Sequence, residues 1–359
     1  MTLYDAVVVG AGQAGLSTSF HLRRLGLDQV VLDANDRPGG AWQHRWDALV
    51  MRDVHGVADL PDAPVPPAHG DERANEFVPA YFAAYEREHA LPVERPVVVR
   101  SVRDDGAGAL VVKADGQVWR TRMVVNATGT WRRPFIPSYP GQETFVGEQW
   151  HTADYPGPDH FRGRRVLVVG GGASAVQFLG VLRPITDTLW VTRREPVWRM
   201  SPFNAEIGRE VVERVAERVR VGLPPRSVVS VTGLMLRPQE AEAARLGAYE
   251  RHPMFDRIEP DGVRWADGRH EPVDAILWAT GFRHDIAHLA PLHLRSPRGG
   301  IQLGATPATA TQSVVDPRVQ LVGYGPSAST IGANRAGRTA AVAVRRYLSN
   351  PTSGREVAE

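Results

Sequence analysis

Ala6-Val7-Val8-Val9-Gly10-Ala11-Gly12-Gln13-Ala14-Gly15 is the stretch of sequence that decides the fold. Its apolar start is typical of a strand that is buried on both faces. A helical pattern follows from about Ala14 to Leu25, and a second apolar run, Gln29 to Leu32, ends in Asp33. A Gly-x-Gly-x-x-Gly pattern between a strand and a helix, with an acid about 20 residues downstream, predicts a dinucleotide-binding Rossmann unit. A glycine-rich turn without a ligand is the alternative.

Each part of this pattern has a physical role. Gly10 permits the tight turn, Gly12 lets the backbone approach a pyrophosphate, and Gly15 lets the helix pack closely on the strand. The start of the helix offers free N–H groups and the positive end of a dipole to the phosphates. Asp33 can accept a hydrogen bond from a ribose hydroxyl.

A second copy of the pattern begins at residue 165. The apolar run Val166–Val169 leads into Gly170-Gly171-Gly172-Ala173-Ser174-Ala175, and a helix is predicted to about Leu182. The next predicted strand, Thr188–Val191, ends in Thr192-Arg193-Arg194 rather than in an acid. A carboxylate there would repel a 2′-phosphate, whereas arginine can bind it with two hydrogen bonds. The second site is therefore predicted to prefer NADP over NAD, unless the arginines only form a solvated strand end.

Two patterns with opposite endings indicate two different dinucleotides, FAD at the first and NADPH at the second. A matched pair of segments supports this, because Met123–Gly129 and Asp274–Gly281 both run from apolar residues into Ala-Thr-Gly. Either alone is also a common strand-to-loop turn. The residues predicted to bind FAD are Gly10, Gly12, Gln13, Gly15, Asp33, Gly40, Trp42, Thr128, Gly129 and Gly323. Those predicted to bind NADPH are Gly170, Gly172, Ala173, Ser174, Ala175, Thr192, Arg193, Arg194, Thr280 and Gly281.

The predicted fold class is α/β, with two Rossmann-like dinucleotide-binding domains. The NADPH domain, residues 156–274, is inserted into a discontinuous FAD domain made of residues 1–155 and 275–359. The chain from 327 to 348 is predicted to be a loop that leads into a helix, and another helix is predicted at 205–221. The less regular stretch from about residue 195 to 260 contains apolar residues that either line a substrate pocket or form ordinary core: Trp198, Met200, Phe203, Met235, Met254 and Phe255.

Composition excludes several classes of protein. The chain of 359 residues has no cysteine, which rules out disulfides, thiolate metal sites and a dithiol redox pair. We predict no metal site. The formal net charge is only +2 and no basic stripe is interleaved with aromatic residues, so nucleic acid is not an expected partner. With no secretory leader pattern and no apolar run of 18 residues, we expect a cytoplasmic protein without a membrane partner.

The stretch Phe145-x-Gly147-x-x-x-His151-x-x-x-Tyr155 lies just before the second pattern. Together with the two patterns, Gly40-x-Trp42 and the Ala-Thr-Gly pair, it resembles the flavin-containing monooxygenase family over nearly the whole chain. The resemblance implies that NADPH reduces FAD and that the reduced flavin reacts with O₂ to give a C4a-(hydro)peroxyflavin. This species then transfers one oxygen atom to a small-molecule substrate. Tyr155 stands where Baeyer–Villiger enzymes usually have Trp, which favours oxygenation of a nucleophilic nitrogen or sulfur.

The resemblance also assigns roles near the flavin. It places His151 in the linker between domains, as a structural or gating residue rather than a general base. Family members often hold a polar side chain over the flavin, for which the candidates are Arg52, Asp53 and His55. The alternative function is an NADPH-dependent reductase that passes electrons to a ferredoxin or a quinone. A flavin-binding sensor or scaffold without turnover is a third. A homodimer is possible, since dimers are the commonest oligomers.

Overall fold

The computed structural model describes residues 2–54, 56–199, 205–225, 233–234 and 236–350. Two sheets dominate it, and each contains one of the two glycine patterns at the end of a central strand. The predicted α/β class is confirmed.

The first sheet has the strand order β3-β2-β1-β6-β5-β4, and β15 pairs with β6. Strands β1, β2, β3, β6 and β15 run parallel, whereas β4 and β5 form an antiparallel extension. The strands are β1 (Leu3–Val9), β2 (Gln29–Leu32), β3 (Val93–Glu94), β4 (Val99–Asp104), β5 (Leu110–Ala114), β6 (Gln117–Asn126) and β15 (Val319–Leu321). Helices α1 (Gln13–Arg24), α2 (Ala74–Glu88) and α6 (Thr330–Ser349) belong to the same half of the molecule.

The second sheet is entirely parallel, with the order β10-β9-β8-β14-β7. Its strands are β7 (Glu148–His151), β8 (Arg165–Val169), β9 (Asp187–Thr192), β10 (Arg251–Pro253) and β14 (Ala275–Trp278). Helix α3 (Ala173–Leu182) follows β8, and α4 (Ala205–Arg220) and α5 (Ala241–Arg245) follow later. A small antiparallel sheet is formed by β11 (Arg257–Glu259), β12 (Gly262–Arg264) and β13 (His270–Pro272).

Sheet membership differs from the predicted domain boundaries at both ends of the insertion. Strands β7 and β14 lie on the FAD side of the boundaries drawn at 155 and 275, yet both pair within the second sheet. Strand β14 is buried along its whole length and is paired on both sides, with β8 and β7, whereas β7 lies at the edge of the sheet and is only partly buried. No local pattern encodes which sheet either strand joins. We therefore propose a first boundary between β6 and β7 and a second boundary after β14.

Each main sheet is covered by apolar side chains on both faces. In the first sheet, alternate residues of β1 point to opposite cores, with Ala6 and Val8 in one and Val7 and Val9 in the other. In the second, Val166 and Val168 face α3, and Leu167 and Val169 face the three-stranded sheet. This burial on both faces explains why both strands are continuous apolar runs in the sequence.

Candidate functional site

A cleft of about 650 Å³ opens at the carboxyl ends of β1, β2 and β6. That volume lies within the range of small-molecule and cofactor sites, about 300–1,000 Å³. The carboxyl edge of a parallel sheet, where strand order reverses, is the expected place for a nucleotide. Of the residues predicted to bind FAD, the cleft is lined by Gly10, Gly12, Gln13, Asp33, Gly40, Trp42, Thr128, Gly129 and Gly323.

The glycines of the first pattern act through close backbone contacts. A Cβ on Gly10 would lie 2.7 Å from the Ala127 carbonyl oxygen, and one on Gly15 would lie 1.8 Å from the Gly10 carbonyl oxygen. Gly15 therefore packs the helix on the strand and is behind the cleft wall. A Cβ on Gly12 would meet only the Gly40 Cα, at 3.9 Å, so a larger side chain there would project into the cleft. The backbone cradle thus fits a diphosphate at the start of α1.

Asp33 is buried at the end of β2 and is held by partners that the pattern does not identify. Arg95 donates from Nε to its carboxylate at 3.2 Å and makes two hydrogen bonds, of 2.6 and 2.8 Å, to Glu86. Asn35 Nδ2 donates to the other carboxylate oxygen at 3.1 Å. A carboxylate has about four acceptor positions, so Asp33 keeps capacity for a ribose hydroxyl. Arg95 is distant in sequence, and no local pattern links it to Asp33.

The start of α1 is tied to the start of α6. Gln13 Nε2 donates to Asn334 Oδ1 at 3.0 Å and to the Ala58 carbonyl at 3.2 Å. Helix α6 is capped by Ser329, whose hydroxyl accepts from the Gly332 N–H. Since Ser329 and Ala333 line the cleft, the positive end of the α6 dipole faces the cleft, where it can stabilise negative charge on a bound group.

The far wall of the cleft carries a buried histidine that sequence reasoning missed. His288 Nε2 lies 2.8 Å from Asn126 Oδ1, at the end of β6. Thr128, which is also near Asn126, donates its hydroxyl to the Asp285 carbonyl. Burial lowers the pKa of His288 to about 4, so its imidazole is neutral at pH 7. The ring therefore donates to the amide and carries no charge into the cleft.

This lowered pKa predicts a stability loss on acidification. Between pH 6.5 and about 4 the unfolded chain protonates this histidine while the folded chain does not, so stability falls as pH falls through that window. For His288 alone the loss is about 2 kcal/mol at pH 5. We expect urea unfolding, in saturating FAD, to show a smaller loss between pH 7.5 and 5 for His288→Gln than for the wild type. Equal losses in both proteins would contradict the assignment.

The second pattern has the same backbone design as the first. A Cβ on Gly170 would lie 2.2 Å from the Ala279 carbonyl oxygen, whereas one on Gly172 would meet nothing within 4 Å. Gly172 is the N-cap of α3, which begins at Ala173, so Ser174 and Ala175 lie in its first turn. The Thr280 hydroxyl donates to the Phe135 carbonyl, which joins the second Ala-Thr-Gly segment to the chain after the first.

Positively charged side chains are concentrated at the end of β9. Arg193 and Arg194 are exposed directly after the strand, and the buried Thr192 hydroxyl donates to the Arg194 carbonyl at 2.6 Å. Arg251 Nε donates to the same hydroxyl at 2.8 Å, although it is 59 residues further along the chain. It is brought there by the parallel pairing of β10 with β9. Glu195 is exposed and 3.7 Å from Arg251. The surroundings therefore suit a phosphate better than a ribose diol.

The segment that carries the family resemblance contains β7, the edge strand of the second sheet. Phe145 and Tyr155 are buried in its two cores. A Cβ on Gly147 would lie 2.5 Å from the Asp274 carbonyl oxygen, so glycine is needed for this close approach. The spacing of the segment therefore has a packing explanation in this chain.

His151 has both ring nitrogens engaged. Nδ1 accepts from the Ala153 N–H at 3.1 Å, and Nε2 donates to the Gly281 carbonyl at 3.0 Å. Its ring meets Phe282 edge-on at 4.9 Å. Burial lowers the pKa of His151, which keeps it neutral. These contacts fix the end of β7 to the end of the second Ala-Thr-Gly segment and support the predicted structural role.

Two contacts connect the FAD-side loops with the second half of the molecule. Trp46 packs against Tyr155 and Phe178 at ring distances of 5.5 and 5.3 Å. Arg237, paired with the buried Glu240 at 2.6 Å, donates from Nη1 to the Asp53 carbonyl at 2.7 Å.

The structure does not support the described candidates for a polar side chain over the flavin. Asp53 is not among the described residues that line the cleft, and its carbonyl faces Arg237 instead. Arg52 is exposed and paired with Asp71. His55 lies outside the described residues. A side chain over the flavin is therefore not assigned to Arg52 or Asp53.

The apolar residues proposed either for a pocket or for a core are core where the structure describes them. Phe255 is buried against the second sheet and the partly buried Met254 packs on the same core, while Trp198 packs on Trp190 and Tyr249. Met200, Phe203 and Met235 lie outside the described residues.

A cluster of possible metal ligands, Glu259, Asp261 and His270, lies on the three-stranded sheet. Arg264 makes hydrogen bonds of 2.7 and 2.9 Å to the Glu259 carboxylate. Arg264 thus engages both carboxylate oxygens of one of the three potential ligands, and the cluster does not line the nucleotide cleft.

Comparisons with known proteins agree with this geometry. Residues 7–222 match the family described as pyridine nucleotide-disulphide oxidoreductase. A flavin-containing monooxygenase from Stenotrophomonas maltophilia is 36% identical over 97% of this chain and 100% of its own, with a TM-score of 0.83. The chain belongs to the flavin-containing monooxygenases. This member has no cysteine, so the disulfide chemistry in the broader family name has no thiol here.

More distant relatives of this monooxygenase share its layout. The indole-3-pyruvate monooxygenase YUCCA1 of Oryza sativa subsp. japonica is 28% identical over 78% of this chain and 77% of its own. An open crystal structure of cyclohexanone monooxygenase is 18% identical with a TM-score of 0.68, covering 99% of this chain and 91% of its own, which shows the shared fold. Within the described part of this monooxygenase, no helix is long and apolar enough to span a membrane.

Proposed function

We propose that this protein uses NADPH to reduce bound FAD and transfers one atom of O₂ to a small-molecule substrate. The observation that carries the proposal is the meeting of two nucleotide-binding strand ends. Trp131, which follows the first Ala-Thr-Gly segment, stacks on Phe282, which follows the second, at 4.9 Å. The Phe135 N–H also donates to the Gly281 carbonyl at 3.0 Å. This arrangement favours two dinucleotides whose reactive ends approach each other.

The bound cofactors supply the redox chemistry: NADPH, H⁺, O₂ and substrate become NADP⁺, water and the oxygenated substrate. The chain supplies binding, orientation and exclusion of water. The α1 N-terminus, Asp33 and the α6 N-terminus hold one nucleotide. The α3 N-terminus with Arg193 and Arg194 holds the other.

Several finer points belong to the same proposal. Tyr155 at the last position of the family segment supports oxygenation at nucleophilic nitrogen or sulfur rather than Baeyer–Villiger chemistry. A cytoplasmic location and a homodimer are consistent with the sequence. The ferredoxin or quinone reductase alternative is less favoured, because the relatives named above are monooxygenases.

The test is anaerobic reduction of the purified holoprotein by NADPH, followed by rapid mixing with oxygenated buffer. We expect complete flavin reduction, and then a transient absorbance spectrum distinct from those of oxidised and reduced flavin. Direct return to the oxidised spectrum, with NADPH oxidation accelerated by an added quinone or ferredoxin, would support the reductase alternative instead. Reduction of the same protein by dithionite, without NADPH, is the control for the reduction step.

A further inference from the structure

Arg251 supports the turn that follows β9 from a neighbouring strand. Strand β10 pairs in parallel with β9, which places Pro253 opposite Thr192 and brings Arg251 next to the turn. Its guanidinium donates from Nε to the Thr192 hydroxyl at 2.8 Å and from Nη2 to the Thr192 carbonyl at 3.4 Å. Thr192 is buried, whereas Arg193 and Arg194 are exposed, so these contacts are made on the interior side of the turn.

The hydrogen bonds continue from Thr192 into the turn itself. An arginine can only donate, so the Thr192 hydroxyl accepts from Arg251 and directs its own proton to the Arg194 carbonyl, at 2.6 Å. Because Thr192 is only 1% exposed, loss of the Arg251 donor would leave a buried polar group with an unmet hydrogen bond. The backbone at residues 192–194 is therefore held by a side chain that lies 59 residues further along the chain.

Glu195 is the carboxylate that directly follows the two exposed arginines. It is 87% exposed, and its Oε1 lies 3.7 Å from Arg251 Nη1. A free carboxylate at this place would repel a 2′-phosphate and would compete with it for Arg193 and Arg194. Pairing with Arg251 draws that charge away from them, although an exposed ion pair of this kind is weak. The geometry therefore gives Arg251 a larger effect through Thr192 and a smaller one through Glu195.

We propose that Arg251 is a positioning residue for the 2′-phosphate of NADPH. It fixes the turn at residues 192–194 so that Arg193 and Arg194 are directed at one phosphate, and it keeps the Glu195 carboxylate away from that phosphate. This inference rests on the proposed function, which assigns NADPH to the second nucleotide site. It adds a determinant on β10, outside the glycine pattern and the strand end at which cofactor preference is ordinarily read.

The experiment measures the binding of NADP⁺ and NAD⁺ to oxidised holoenzyme by calorimetry, since the two differ only in the 2′-phosphate. We expect the wild type to bind NADP⁺ about 10–100-fold more tightly than NAD⁺, the range for hydrogen bonds to charged groups. Arg251→Met should lower this preference roughly tenfold and leave the Kd for NAD⁺ within about twofold of its wild-type value. Arg245→Met, which removes the same charge from an exposed position on α5, should leave both Kd values unchanged.

Three further variants separate the two effects of Arg251. Thr192→Val breaks the same chain of hydrogen bonds at similar side-chain volume, so it should lower the preference for NADP⁺ as Arg251→Met does. Glu195→Gln should raise the preference about twofold, because it removes a weak repulsion. Arg251→Met combined with Glu195→Gln should recover only that small part. An unchanged preference in Glu195→Gln would overturn the effect assigned to the carboxylate.

Two results would overturn the inference and leave the proposed use of NADPH intact. In the first, Arg251→Met and Thr192→Val keep the wild-type preference for NADP⁺. In the second, both variants weaken NADP⁺ and NAD⁺ by the same factor, which is the result of general damage to the nucleotide domain. Equal binding of both nucleotides by the wild type would instead contradict the proposed use of NADPH, and the inference would fail with it. If Arg251→Met does not fold, Thr192→Val decides between these results.

Discussion

Gly12→Val is expected to give a folded protein that purifies without FAD. The valine would project into the cleft from the start of α1, where only the Gly40 Cα lies near the added Cβ, at 3.9 Å. The side chain would then occupy the space through which a diphosphate reaches the helix N–H groups. We expect the dissociation constant of FAD to rise by on the order of 100-fold, a loss of ~2.7 kcal/mol. Flavin absorbance per protein and a titration of the apoprotein with FAD measure this directly.

The second pattern provides the matched control. Gly172→Val makes the same change at the equivalent position before α3, where the added Cβ has open space. This variant should keep FAD at wild-type occupancy and fail to be reduced by NADPH. Wild-type FAD occupancy in Gly12→Val, or FAD loss in Gly172→Val, would contradict the assignment of the two sites. Circular dichroism of both variants checks that each is folded.

Arg193→Ala is expected to raise the KM for NADPH while leaving the KM for NADH nearly unchanged. The guanidinium is exposed at the end of β9, and a 2′-phosphate is the only group by which the two cofactors differ. Charge-assisted hydrogen bonds contribute about 1.5–3 kcal/mol, which corresponds to roughly 10–100-fold in KM. Steady-state kinetics with both cofactors, under air and with flavin saturated, measure the change.

Two further variants test whether the effect on the KM for NADPH is specific to the arginines after β9. Arg193→Ala with Arg194→Ala should widen the effect, since both residues follow Thr192 and either can reach a phosphate. Arg245→Ala removes the same charge from an exposed position on α5 and should leave both KM values unchanged. Parallel increases for NADPH and NADH in Arg193→Ala would mean that the 2′-phosphate is read elsewhere, with Arg251 the first candidate.

Local pattern was sufficient for the elements around both nucleotide sites. The helix predicted from about residue 14 to 25 is α1 at Gln13–Arg24, and the helix predicted to end near Leu182 is α3, which ends there. The loop leading into a helix at 327–348 is confirmed as α6. These succeed because a buried strand, a glycine turn and a helix start are each encoded by neighbouring residues.

The side chains that contact the site residues could not be predicted from any local pattern. Arg95 reaches Asp33 across 62 residues, and Arg251 reaches Thr192 across 59. No sequence pattern distinguishes Arg45 from the other arginines of the chain. Only the structure shows it beside two indole rings that line the cleft.

By itself, then, the sequence determined the α/β class, the two nucleotide-binding patterns and the charge that follows each second strand. These features depend on contacts within about 30 residues, the span of one βαβ unit. Tertiary structure alone decided that β7 and β14 join the second sheet, and which side chains hold Asp33, Thr192 and Arg45. Those choices depend on burial and charge pairing between segments far apart in the chain, and such contacts exist only once the sheets have formed.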